Sequence, residues 1–182
     1  MDMSAVMYTL FAKVLNVYPK NPTFFNRDRV ILSSSNITPL YYAMLYMAGY
    51  PLNKEDLMNF RRLNSSTPGM PELNNPAGVD ASTGVAGGGV GVAVGCALAR
   101  RYLNSLIQKE DEKLNLLNFT TFCFVSDADM MSGASEEAFS FAGVQNIENL
   151  IFLYDANQMT AEGSLEQVFH EDLVKKFQNK GF

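Results

Sequence analysis

Histidine is nearly missing from this sequence: His170 is the only one in 182 residues. That excludes a zinc cluster, and any catalytic pair, built from several imidazoles. Cysteine is almost as scarce. Cys96 and Cys123 stand in apolar surroundings without metal-ligand spacing, so both read as buried free thiols, which suits a reducing cytoplasm. Basic charge is not in excess either. A net charge of −5 excludes a general nucleic-acid binder, which would carry a basic patch. No apolar run is long enough to cross a bilayer, and the N-terminus does not read as a signal peptide. No internal repeat or interdomain linker is visible. What is there, 47% hydrophobic and 18% charged residues, is the composition of one globular domain with a sizeable core.

Apolar residues at helical spacing predict an amphipathic helix over residues 2–17, broken by the Pro19 that follows. Residues 29–33 read as a short buried strand. A helix should follow, with Thr38 as N-cap, Pro39 at its first position and Gly49 at its end. Asn53 is placed to cap another helix over 53–63. Residues 64–83, rich in Pro, Gly, Ser and Asn, predict a long irregular segment of the kind that is usually functional or disordered. A glycine cluster then opens a small-residue helix, and residues 107–118 read as a polar surface connection. The continuous apolar runs at 119–125 and 149–155 predict strands buried on both faces, with a helix over 132–145 between them. Strand and helix alternate, so the expected fold is α/β: a parallel sheet sandwiched by helices.

In such sheets ligands bind beyond the carboxyl ends of the strands. Three segments should meet there: Ser33 to Asn36, Ser126 to Asp129, and Asp155 to Met159. Asp127 and Asn157 lie just past strand ends. With the carbonyl of Met159 they could supply oxygen ligands to a hard cation such as Mg²⁺. Equally, Asp127 could simply cap the next helix, and spacing alone leaves both readings open. Gly84, Gly87, Gly88, Gly89 and Gly91 also read two ways. Amides at a glycine-rich helix start can cradle phosphate, but no Walker or Rossmann spacing is met. Gly91, Ala93, Gly95 and Ala97 look more like close packing. Glu136 and Glu137 stand near a helix start, where the dipole favours acids, and Glu171 and Asp172 do the same beside His170.

Taken together, "NPTFFNRDRVILS", "LYYAMLYMAGYPLNKEDLMNFRRLNSSTPGMPE", "GVDASTGVAGGGVGVAVGCALARRYL" and "SDADMMSGASEEAFSFAG" followed by "NLIFLYDANQMTAEG" resemble the N-terminal, diphosphate-binding domain of transketolase. The resemblance is collinear from about residue 3 to the end. It implies the thiamine-diphosphate-binding fold of the transketolase N-terminal type, with residues 1–182 as a single such domain. The family transfers two-carbon ketol units between sugar phosphates, using thiamine diphosphate and Mg²⁺ or Ca²⁺. In the family the cofactor lies between this domain and a pyrimidine-binding domain of a neighbouring subunit, which brings the glutamate that activates the cofactor ring. That domain, and the family's first segment with one of its histidines, are not among these residues. A homodimer, or a complex with a pyrimidine-domain subunit, is therefore expected, and the apolar small-residue helix over 88–103 suits self-association.

Position by position, the resemblance implies an altered site. The family's Gly-Asp-Gly, followed about thirty residues later by Asn, stands as Ser126-Asp127-Ala128 and Asn157. Asp127, Asn157 and the carbonyl of Met159 are the implied metal ligands, while Cβ atoms at 126 and 128 crowd the diphosphate or shift the loop. Ser-x-Gly-His-x-Ser appears as "SSSNIT", which puts Asn36 at one imidazole position. Pro-Gly-His-Pro-Glu appears as "PGMPE", which puts Met70 at another. Asn36 can donate a hydrogen bond but exchanges no proton near neutral pH, and Met70 does neither. Thr-Gly-Pro-Leu-Gly-Gln-Gly reads "TGVAGGG", keeping Gly84 and placing Ala86 where a leucine packs on the cofactor. Of the acidic pair linking two cofactor sites across the dimer, Glu137 remains and Ser132 replaces the other. The expectation is a transketolase-like domain that has lost independent catalysis and serves as a structural or regulatory partner, with no catalytic residue assigned. The alternatives are the N-terminal subunit of a split transketolase, and a module binding another phosphate or nucleotide on the loop at 84–89.

Overall fold

Alternation along the strands sets the layers. In β1 (Arg29–Leu32) Val30 and Leu32 point to one side and Ile31 to the other; in β2 (Thr121–Ser126) Phe122 and Phe124 oppose Cys123 and Val125. In the computed structural model, which describes residues 3–107, 116–160 and 163–182, these side chains build two cores. Val30, Leu32, Phe122 and Phe124 pack with Met7 of α1 (Ser4–Thr9) and with Tyr41, Tyr42 and Leu45 of α2 (Thr38–Met47). Ile31, Cys123 and Val125 pack with Val90, Ala93, Val94 and Ala97 of α4 (Gly88–Ile107) and with Phe139 and Ala142 of α6 (Gly133–Val144). The strands are parallel in the order β1-β2-β3, with β3 at Leu150–Asp155; Arg29 pairs with Thr121, and Thr121 with Leu150. The helix-sandwiched parallel sheet is as the sequence predicts. No helix among the described residues is long and apolar enough to cross a membrane.

Several expectations need correction. The first helix stops well short of residue 17: α1 gives way to a π-helical turn at Leu10–Val14, and Leu15 is extended. The chain leaves the helix because Asn16 pairs with Asp28, donating its N–H to the carboxylate (2.7 Å) and accepting the Asp28 N–H (3.0 Å). Thr38 is not a cap but the first helical residue. Ser34 caps a 3₁₀ turn (Ser35–Ile37) that runs into α2, and the buried Thr38 hydroxyl has no partner among the described residues. Gly49 does follow the end of α2, at φ +88°. Asn53 does cap α3 (Lys54–Met58), in a reciprocal box with Asp56. That helix is only five residues long, because Arg61 turns left-handed (φ 61°) and its N–H pairs with the Thr67 carbonyl.

Beyond α4, most of the connection over 107–118 lies outside the described residues. The 132–145 helix is preceded by a four-residue α5 (Asp127–Met130) directly after β2. β3 is not buried on both faces. It is an edge strand among the described residues, with only Leu150 buried and Ile151 42% exposed. Cys123 is buried and Cys96 half-buried, both as free thiols. After β3 come a two-stranded ribbon, β4 (Met159–Thr160) and β5 (Gly163–Ser164), and α7 (Leu173–Lys180), which Asp172 caps through the Lys175 N–H.

Candidate functional site

A cleft of about 340 Å³ opens at the carboxyl ends of the strands. Ser33, Ser34, Ser35 and Asn36 reach it from the end of β1, Gly84 and Ala86 from the loop before α4, Ser126, Ala128 and Asp129 from the end of β2, and Asn157, Met159 and Thr160 from beyond β3. The three segments expected to meet do meet. None of the described lining residues is basic; hydroxyls, amides and one buried carboxylate share the surface with Gly84, Ala86, Ala128 and Met159.

That carboxylate, Asp129, was not singled out by the sequence. It is 1% exposed and accepts four hydrogen bonds. Oδ1 takes the Ser33 hydroxyl (2.6 Å) and the Gly87 N–H (2.8 Å); Oδ2 takes the Ser126 N–H (2.8 Å) and hydroxyl (3.0 Å). The Ser-x-x-acid spacing of a capping box was a signal for the Ser126 half. Nothing local marks the other half.

The glycine loop is thereby largely committed. Gly87 donates to Asp129, Gly88 to the Val85 carbonyl (2.9 Å) and Val90 to the Gly87 carbonyl (3.2 Å). Close approach accounts for two of the glycines. A Cβ on Gly89 would come 2.4 Å from Cα of Ser33, and one on Gly87, at φ +78°, would meet the hydroxyls of Ser135 and Ser132. Gly91 and Gly95, expected to pack, instead face open space, while Ala93 and Ala97 are fully buried.

Asp127 follows β2 directly and is 1% exposed. Its Oδ1 accepts the Tyr154 hydroxyl, and Oδ2 the N–H of Gln158 (3.0 Å), a residue held at φ 60°. Burial, then the hydrogen bond to Asp127, pushes the Tyr154 hydroxyl above its ordinary pKa and keeps it a donor. Asn157 is exposed; its Oδ1 accepts the Met159 N–H (3.0 Å) and its Nδ2 donates to Asp155 (3.2 Å). Among the described residues no group of three or more His, Cys, Asp or Glu forms a metal centre. Carboxylate, amide and backbone oxygens remain as a mixed set. A carboxylate has about four lone-pair sites and Asp127 uses two, so the donors fit a hard divalent cation in type. Ser126 and Ala128 carry their Cβ atoms without backbone strain: Ser126 is extended at φ −121°, neither it nor Ala128 has positive φ, and Ser126 spends its hydroxyl on Asp129.

The other candidates divide. Asn36 stands exposed on the rim. Met70, 47% exposed, lays its sulfur against Gly84, where an added Cβ would come within 2.3 Å of it. Glu137 is exposed and does not line the cleft. Ser132 donates to the Ala86 carbonyl (3.2 Å). Glu136 pairs with Lys176 (2.6 Å) and Lys180 (3.2 Å) of α7.

Comparison with known proteins gives this arrangement a context. The family described as "Transketolase, thiamine diphosphate binding domain" matches residues 1–182. A transketolase of Bacillus subtilis is 41% identical over 178 residues, which are 98% of this chain and 26% of that protein; one from Aquifex aeolicus is 40% identical over 179 residues, again 98% and 26%. Among solved structures, transketolase from Leishmania mexicana superposes with a TM-score of 0.93 at 35% identity, covering 98% of this chain and 27% of that one. Transketolase from Campylobacter jejuni gives 0.89 at 38%, with the same coverage. The chain thus spans about a quarter of the length of these relatives. With whole-chain match, matching fold and the cleft where parallel α/β sheets carry ligands, the chain belongs to the transketolase family, in its thiamine diphosphate binding domain.

Proposed function

We propose that this domain keeps the metal–diphosphate shelf of a transketolase without its proton-transfer groups, and acts as a structural or regulatory partner of a thiamine-diphosphate-dependent subunit in the cytoplasm. The observation that carries the reading is the cleft rim. Asn36 lines the cleft and Met70, outside the lining, lays its sulfur against Gly84, both at the implied imidazole positions. The carboxylate lining the cleft, Asp129, is buried under four hydrogen bonds. Loss of a positioned general acid or base lowers a rate by about 10²–10⁴-fold, and two such positions are altered.

Asp127, Asn157 and the Met159 carbonyl would hold Mg²⁺ (or Ca²⁺), with Ser126 and Ala128 beside the diphosphate. When bound, thiamine diphosphate supplies a ring that stabilises a carbanion, and the metal offsets the diphosphate charge. The chain's own contribution is to hold these oxygens together and to offer the Asn36 amide as a hydrogen-bond donor.

The test mixes this chain with a transketolase pyrimidine domain and assays two-carbon transfer. No turnover above background is expected, and clear transfer would overturn the reading. A second reading, the N-terminal part of a split transketolase, is favoured by Asn157 and Met159 lining the cleft on either side of Gln158, whose N–H bonds the buried Asp127. On that reading Asn36→His with Met70→His raises the rate. Pairing of two copies through α4 completes the proposal; Tyr102 and Leu106 on its last turns are 63% and 64% exposed.

A further inference from the structure

The Asp129 carboxylate touches three separate walls of the cleft. Ser33 ends β1, Gly87 lies in the loop that opens α4, and Ser126 ends β2. The opening of a twenty-residue helix such as α4 attracts an anion, because its first N–H groups lack helical partners. Here Asp129 supplies that anion from within, at 2.8 Å from the Gly87 nitrogen. Ser33 and Gly87 lie 96 and 42 residues away in sequence. These bonds therefore join elements that no local interaction would hold in register.

We propose that Asp129 is a positioning residue: an internal anion that assembles the β1, α4 and β2 sides of the cleft before any ligand arrives. Two consequences follow from the geometry. The Gly87 N–H is already spent, so a phosphate group has the Ser126, Ala128 and Asn157 side of the cleft left to it. The packing of Gly89 on Ser33 is fixed by the same carboxylate, since Asp129 holds the Ser33 side chain while α4 presses on its backbone. The proposal rests on the preceding functional reading only for where the cleft is, and its test needs neither turnover nor cofactor.

The experiment is residue-resolved amide hydrogen exchange on the whole chain, comparing wild type with Asp129→Ala, Asp129→Asn and Ser33→Ala. In Asp129→Ala the amides of Gly87 and Ser126 should exchange about tenfold faster or more, while those of Phe122 to Phe124 inside β2 stay protected. Asparagine keeps one acceptor oxygen and turns the other into a donor. Asp129→Asn should therefore release Gly87 or Ser126 and leave the other protected, a split that general destabilisation does not produce. Ser33→Ala, which leaves the carboxylate in place, should leave both amides protected. Unchanged exchange at both amides in Asp129→Ala and Asp129→Asn would overturn the proposal. So would a uniform rise across β2 in both. Should Asp129→Ala not fold, the split in Asp129→Asn decides alone.

Discussion

Gly89 and Gly91 are two residues apart on α4 and answer a methyl group in opposite ways. At 89 the new Cβ would press on the Ser33 backbone at 2.4 Å, and backbone cannot swing aside. Gly89→Ala should lower stability by about 1–3 kcal/mol. At 91 the Cβ points into open space, so Gly91→Ala should raise stability by about 0.4–1 kcal/mol by restricting the unfolded chain. Urea unfolding followed by circular dichroism separates the two. The sequence shows both as members of one glycine cluster and cannot say which is pressed. Asp129 was hidden for the same reason. Its Ser126 bonds span three residues and could be read as a cap, whereas its bonds to Gly87 and Ser33 exist only once the sheet is closed.

At the scale of elements, what could be read was what local chemistry decides. The Asn53 cap of α3 and the helix start at Asp172 were visible because each capping bond reaches only three residues on. Thr38 misled because a 3₁₀ turn already carried the chain into α2. β3 misled because a continuous apolar run looks alike at the centre and the edge of a sheet. α7 offers a prediction of its own. Phe177 packs edge-on against Phe139 (4.8 Å), and Lys176 pairs with Glu136 (2.6 Å) and Glu171. Burial lowers the Lys176 pKa, but its bonds to Glu136 and Glu171 outweigh that and hold it above the ordinary lysine value. A raised lysine pKa stabilises the fold below the unfolded value, about 10.4, and that contribution is lost as pH rises through the higher folded value. After correction for the intrinsic pH dependence of exchange, the α7 amides should keep their protection up to about pH 10 and lose it above. Lys176→Met should abolish the step.

For the molecule as a whole, the layered fold was legible from short apolar runs alternating with helical segments along the chain, with no need of the relatives. So were three walls of the cleft, placed beyond the ends of β1, β2 and β3 by the topology alone. The fourth, at Gly84 and Ala86, was left open between a phosphate cradle and close packing, and only collinear likeness over the full chain tied these short segments to one chemistry. The proposed pairing through α4 belongs at this scale. Leu106→Glu should shift sedimentation velocity towards the monomer at concentrations where the unaltered chain associates, and an unaltered profile in both would remove α4 as the contact. The topology also governs how the chain is made. Among the described residues β1 finds its neighbouring strand in β2, and the bonds that lock its two ends, Asp28 to Thr120 and Ser33 to Asp129, span 92 and 96 residues. At about 5–20 residues per second, a ribosome leaves β1 waiting some 5 to 20 seconds for the edge that β2 will cover. During that interval the nascent Val-Ile-Leu segment is open to any other strand that passes, so the speed of translation between β1 and β2 becomes a property that bears on yield.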